Sequence, residues 1–142
     1  MLFTLTEDDV FKLLPHTIKK PSEVMSDPKF ARSGVDINTF NRYSEQYEAY
    51  IISELTKAGL PIPTFPIHIL LNAAHSYLVG AAILRMFDNV QNPYKDMFAT
   101  GNIMLRSYID QQLILSNASA SNAPEYYKDE DQSSELFDFL EI

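Results

Sequence analysis

The sequence predicts an all-α fold: a small bundle of three long helices plus a short N-terminal helix, continued by an extended C-terminal arm. Three observations carry that prediction. Apolar residues recur at three- and four-residue steps in three long stretches. Start and stop residues bound those stretches, namely Asp36 and Gly59 for the first, Pro66 before the second and Asn92-Pro93 before the third. After the third stretch comes a small polar linker, and then a tail that mixes large apolar side chains with acids.

Thr6-Glu7-Asp8-Asp9 reads as a helix start, because Thr6 can cap and three acids sit where the helix dipole favours them. Val10, Phe11, Leu13 and Leu14 give this short helix, expected over 7–14, its apolar face, and Pro15 ends it. Residues 15–35 read as a long loop broken by Pro15, Pro21, Pro28 and Gly34. Lys19, Lys20, Lys29 and Arg32 make it the most basic part of the chain. It is either a solvated loop or a contact for an acidic partner or DNA phosphates.

A helix is expected over 36–58, capped by Asp36, with Phe40, Tyr43, Tyr47, Ile51 and Leu55 on its apolar stripe and Gly59 as its stop. The next helix is expected over 66–88, with Pro66 at its first position. It is apolar on most sides, which marks it as the central helix; His68, Asn72, His75 and Ser76 argue against a membrane span. Asn92 and Pro93 begin a third long helix, expected over 93–116, in which Gly101 suggests close packing, near Gly80. Residues 1–116 thus form the helical domain, 117–124 a linker and 125–142 the arm.

Composition narrows the function. The chain has 142 residues, 46% of them hydrophobic, which suits one domain with a core. It has no cysteine, so disulfides, thiolate metal sites and cysteine nucleophiles are excluded. Its formal charge is -8. Residues 125–142 hold seven acids and one base (-6), and residues 1–124 hold twelve acids and ten bases (-2). A body so nearly neutral lacks the dense basic face of a general nucleic-acid binder.

No motif for catalysis, cofactor binding or metal binding emerges. His68 and His75 are two helical turns apart, about 10 Å by helix rise, too far for one metal. They read as polar residues bonded to a neighbouring helix. Glycines are too few and scattered for a phosphate cradle. The stripe of Tyr43, Tyr47 and Tyr50 has helical spacing, which favours core or subunit packing over base stacking. Within the tail, Leu136, Phe137, Phe139, Leu140 and Ile142 would be unfavourable in water, so the arm is expected to dock on a partner.

Four segments, in their order and spacing, carry a resemblance: residues 48–55 (EAYIISEL), Leu60-Pro61-Ile62-Pro63, residues 73–78 (AAHSYL) and residues 93–98 (PYKDMF). Over about residues 4–115 the chain resembles the head–tail adaptor (connector or head-completion) proteins of tailed bacteriophages. The resemblance implies a non-enzymatic virion protein that forms a homo-oligomeric ring, usually of twelve copies, beneath the portal protein. Such a ring extends the channel through which genomic DNA passes without sequence-specific binding, and it receives the next neck or tail component. It implies a place in the virion neck, and in the host cytoplasm during assembly, with no cofactor and no membrane. The proline-rich basic loop and the acidic tail depart from the family pattern. The alternative from a different class is a small helical regulatory module that binds a host protein or another protein partner.

Overall fold

A computed structural model describes Phe3, residues 5–87 and residues 93–120 of the chain, with side chains through Asn117. The described residues are mainly helical: α1 (Glu7–Phe11), α2 (Pro21–Ser26), α3 (Ile37–Lys57), α4 (Ile69–Phe87) and α5 (Pro93–Ala120). Three of these are long, and no strand occurs among the described residues, in agreement with the all-α reading. The expected arm residues Leu136, Phe137, Phe139, Leu140 and Ile142 lie outside the described residues.

Local chemistry accounts for most helix ends. Thr6 and Asp9 form a reciprocal capping box at α1. Asp9 N–H donates to Thr6 Oγ1 at 3.2 Å, and Thr6 N–H donates to Asp9 Oδ2 at 3.3 Å. The α-helix closes at Phe11, earlier than the expected 14, and Leu13 and Leu14 continue in turns that bond back to Val10 and Phe11. Asp36 Oδ1 caps α3 by accepting from Thr39 N–H at 2.7 Å. At the other end Gly59 takes φ 79°, the left-handed conformation that favours glycine. The carbonyls of Leu55 and Thr56 then accept from the N–H groups of Leu60 and Gly59.

Two further boundaries differ from expectation. Pro66 is not the first residue of the central helix. It follows a cis peptide bond, and α4 begins at Ile69. His68 starts that helix instead, with its Nδ1 accepting from Leu70 N–H at 3.1 Å and its carbonyl accepting from Leu71 and Asn72. The last helix runs on to Ala120, into the stretch expected to be linker. Two alanines among residues 117–120 (NASA) favour helix, so a small polar composition does not end it.

The expected loop at 15–35 is partly ordered. It contains α2 and a 3-10 turn, Pro28–Phe30. Pro21 and Pro28 each sit at the start of such an element, where proline's missing N–H costs nothing. Lys19 pairs with Gly34 in an isolated bridge: Lys19 N–H donates to Ser33 at 2.9 Å, and Lys19 accepts from Val35 at 3.0 Å. The segment is a closed flap, pinned by buried Ile18 and Val35.

Helix α4 is central. Leu71, Ala74, Leu78, Val79, Ala81 and Ile83 are fully shielded from solvent. It is long and apolar enough to cross a membrane by composition, and most of that surface is covered by the rest of the bundle. It packs most extensively on α5, in antiparallel fashion. His68 meets Tyr108 edge-on at 5.2 Å, and Leu78 faces Gly101. One core cluster joins Phe3, Ile51, Leu55, Leu71, Leu78 and Leu105. A second joins Val10, Leu14, Phe40, Val79 and Ile83, and so seats α1 against the C-terminal half of α4. Gly101 and Gly80 do not face each other as expected: Gly101 packs on Leu78 and Ala74, whereas Gly80 faces Met97.

Candidate protein-binding cleft

The cleft grows out of the α3 stripe. Tyr43 and Tyr47, one turn apart on α3, are only half buried because α4 presents Ala81 and Ala82 opposite them. Small residues there leave room that larger ones would fill. The result is a cleft of about 630 Å³ between α3, α4 and the start of α5. Its aromatic wall is ordered. Phe98 meets Tyr47 edge-on at 5.8 Å, and Tyr47 meets Tyr50 at 6.3 Å. Tyr50 donates its hydroxyl to Asn102 Oδ1 at 2.8 Å, and Asn102 donates to the Phe98 carbonyl at 3.1 Å. Burial pushes the Tyr47 and Tyr50 hydroxyls above the usual phenol range, so both stay neutral.

The rim is basic. Arg85 ends the α4 wall and Lys95 begins the α5 wall, and both are exposed. The Arg85 guanidinium lies 5.8 Å from the centre of the Tyr94 ring, a cation–π geometry. Among the described residues that line the cleft none is acidic. Exposed Met86 adds an adaptable apolar side chain at the mouth. An aromatic floor with two cations at its edge suits an apolar side chain flanked by carboxylates.

A second apolar surface lies at the opposite end of the bundle. There Phe65 is 75% exposed and Ile69 78% exposed, with Ile62 nearby in the proline-rich turn. The antiparallel pairing brings the end of α5 to the same pole, where Ile114 and Leu115 are exposed. Past Tyr108, which meets His68 beside the start of α4, α5 continues for twelve residues to Ala120.

Three of the four basic loop residues have local partners. Lys20 Nζ bonds Asp8 Oδ1 at 2.8 Å, and that hydrogen bond, reinforced by the charge of Asp8, raises the lysine pKa. Lys29 pairs with Asp27 at 3.6 Å, and Lys19 Nζ sits 5.0 Å from the Phe30 ring centre. Arg32 is exposed. One of the four cations is thus paired with α1, another within the flap, and a third lies over a ring.

The histidines separate in the fold. His75 is fully buried, and its Nε2–H donates to the Ser44 carbonyl of α3 at 2.7 Å, as expected for a polar residue tied to a neighbouring helix. His68 is exposed and caps α4. Among the described residues no group of three or more His, Asp or Glu side chains is placed to hold a metal ion. Sequence reasoning singled out Tyr43 and Tyr47 but missed Arg85 and Lys95. The signal was present, since one basic residue stands on each side of the short segment between the two most apolar helices.

No protein-family model, curated protein or solved structure matches the chain.

Proposed function

We propose that this chain is a structural, non-catalytic subunit of a phage neck ring that joins the portal to the tail and extends the DNA channel. One observation supports this reading most. The bundle leaves two different apolar surfaces open, the aromatic cleft at one end and the Phe65–Ile69 pole at the other. A ring needs two unlike surfaces, because each subunit meets one neighbour with one face and the next with another. Exposed apolar clusters rimmed by polar residues are a general mark of protein contact sites.

On this reading the copies close into a ring of about twelve, seated on the portal protein and receiving the next neck or tail component. Genomic DNA passes through without sequence-specific contacts, which agrees with a described body whose charge is nearly balanced. The protein would reside in the virion neck, and in the host cytoplasm during assembly. Repeated weak contacts around a ring add up by avidity.

The test is electron microscopy and mass measurement of the purified full chain, alone and with isolated portal rings. Closed rings that add a fixed number of copies to each portal are expected. Aspartate at Phe65 and Ile69 should disperse them while the helical signal persists. A chain that stays monomeric at every concentration and never loads onto portals would overturn the reading, and stoichiometric capture of one host protein instead would favour the regulatory module.

A further inference from the structure

We infer that the aromatic cleft is the docking site for the chain's own C-terminal segment, residues 135–142. The cleft offers an aromatic wall and two rim cations, Arg85 and Lys95, with no acid among the described residues that line it. The segment Glu135-Leu136-Phe137-Asp138-Phe139-Leu140-Glu141-Ile142 has the complementary chemistry, five large apolar residues interleaved with three acids. Apolar side chains would enter beside Tyr47 and Phe98, while carboxylates meet the guanidinium and ammonium at the rim. The charge division along the chain fits, since residues 125–142 hold a net -6.

Reach permits it. The described chain ends at Ala120, 22 residues along α5 from Phe98, which is about 33 Å of helix. The 14 residues 121–134 span up to about 46 Å when extended. The segment can therefore arrive at this cleft, in its own copy or in a neighbouring one. The occupant is assigned from the cleft's chemistry and does not depend on the ring. The ring reading, which uses the same cleft as one of its two surfaces, requires that a neighbouring copy supply the segment.

The experiment places a photo-crosslinking phenylalanine analogue at Phe139 in the full-length chain and maps the products by mass spectrometry. Crosslinks are expected on the α3, α4 and α5 residues around the cleft. The double variant Arg85→Glu with Lys95→Glu should cut their yield by about tenfold, as reversal of paired charges at an interface does. Adding Glu135→Lys, Asp138→Lys and Glu141→Lys should restore it. Circular dichroism confirms that each variant is folded. Crosslinks scattered elsewhere, or a cleft yield indifferent to both reversals, overturn the assignment. Mixing isotopically light and heavy chains separates this question from the ring: mixed pairs show exchange between copies. Cleft crosslinks confined to single chains keep the site, close the cleft to neighbouring copies and so remove one of the two surfaces on which the ring reading rests.

Discussion

His75 on α4 donates its Nε2–H to the backbone carbonyl of Ser44 on α3, across 2.7 Å of fully shielded interior. The donor nitrogen sets the tautomer, so Nδ1 is the unprotonated nitrogen, and it has no partner among the described residues. Burial holds the imidazole below its ordinary value of 6.5, outweighing the opposing effects of the Ser44 bond and the Glu48 charge.

Stability should therefore fall as the pH drops. Below 6.5 the unfolded chain takes up a proton at this position more readily than the folded one. The loss begins near that value and levels off once the pH is below the depressed folded pKa. Thermal melts between about pH 7.5 and 5.5 will show it. His75→Gln should flatten this slope, although it lowers stability at neutral pH by about 1–3 kcal/mol through the lost buried bond.

Phe3 should prove coupled to His75. Its ring meets the imidazole edge-on at 5.0 Å, and its backbone N–H donates to Glu48 Oε1 at 2.7 Å. Phe3→Ala should cost about 3 kcal/mol, the usual loss for a buried phenylalanine. A double-mutant cycle with His75→Ala, read by denaturant unfolding, should return a coupling of about 0.5–1.5 kcal/mol.

Alanine at the two helix-packing glycines should act in opposite directions. A Cβ at Gly101 would stand 2.9 Å from Leu78 Cγ and 3.3 Å from the Ala74 carbonyl. Because one neighbour is backbone, Gly101→Ala should destabilise by about 1–3 kcal/mol despite the better helix propensity. At Gly80 the close neighbour, at 2.8 Å, is the terminal methyl of Met97, which can swing aside. Gly80→Ala should be neutral or stabilising by up to about 1 kcal/mol. Urea midpoints of the two variants against the parent decide the matter.

Asp110→Asn should stabilise the protein at neutral pH. Asp110 is buried, and its Oδ1 has no hydrogen-bond partner among the described residues. Burial pushes its carboxyl above 3.8, and the nearby Arg106 opposes this only in part. The ionised form is thus a folding penalty, absent at acid pH and acquired as the pH rises from 3.8 through the folded pKa. Melts of the variant should exceed those of the parent at neutral pH and converge with them near the unperturbed carboxylate value. A gain that persists unchanged into acid would show that the carboxylate charge is not its source.

Helix existence was legible because capping and periodicity are local. Thr6, Asp36, Gly59 and Pro93 stand at or beside the boundaries they signalled. Where a boundary depended on tertiary surroundings, the local signal misled. Pro66 looks like a helix start, yet His68 supplies the cap. In 15–35, the most basic part of the chain, Lys20 and Lys29 pair with Asp8 and Asp27, and only folding establishes the nearness of the first pair. The cleft was half legible. Tyr43 and Tyr47 announced an apolar face, but the void opposite them arises where Ala81 and Ala82 pass, a matter of how α3 and α4 meet.

Taken alone, the amino-acid order determined that this chain is helical, where its long helices lie, that α4 is their centre, and that acid is concentrated at the C-terminus. Those properties follow from hydrophobic period, caps and charge count, which act over a few residues. Only the tertiary structure decided that His75 would bond Ser44, that Asp110 would be buried without a full set of partners, and that Arg85 and Lys95 would flank one aromatic cleft. Such relations join residues far apart in the chain, and they exist only once the helices have taken their packing angles and registers.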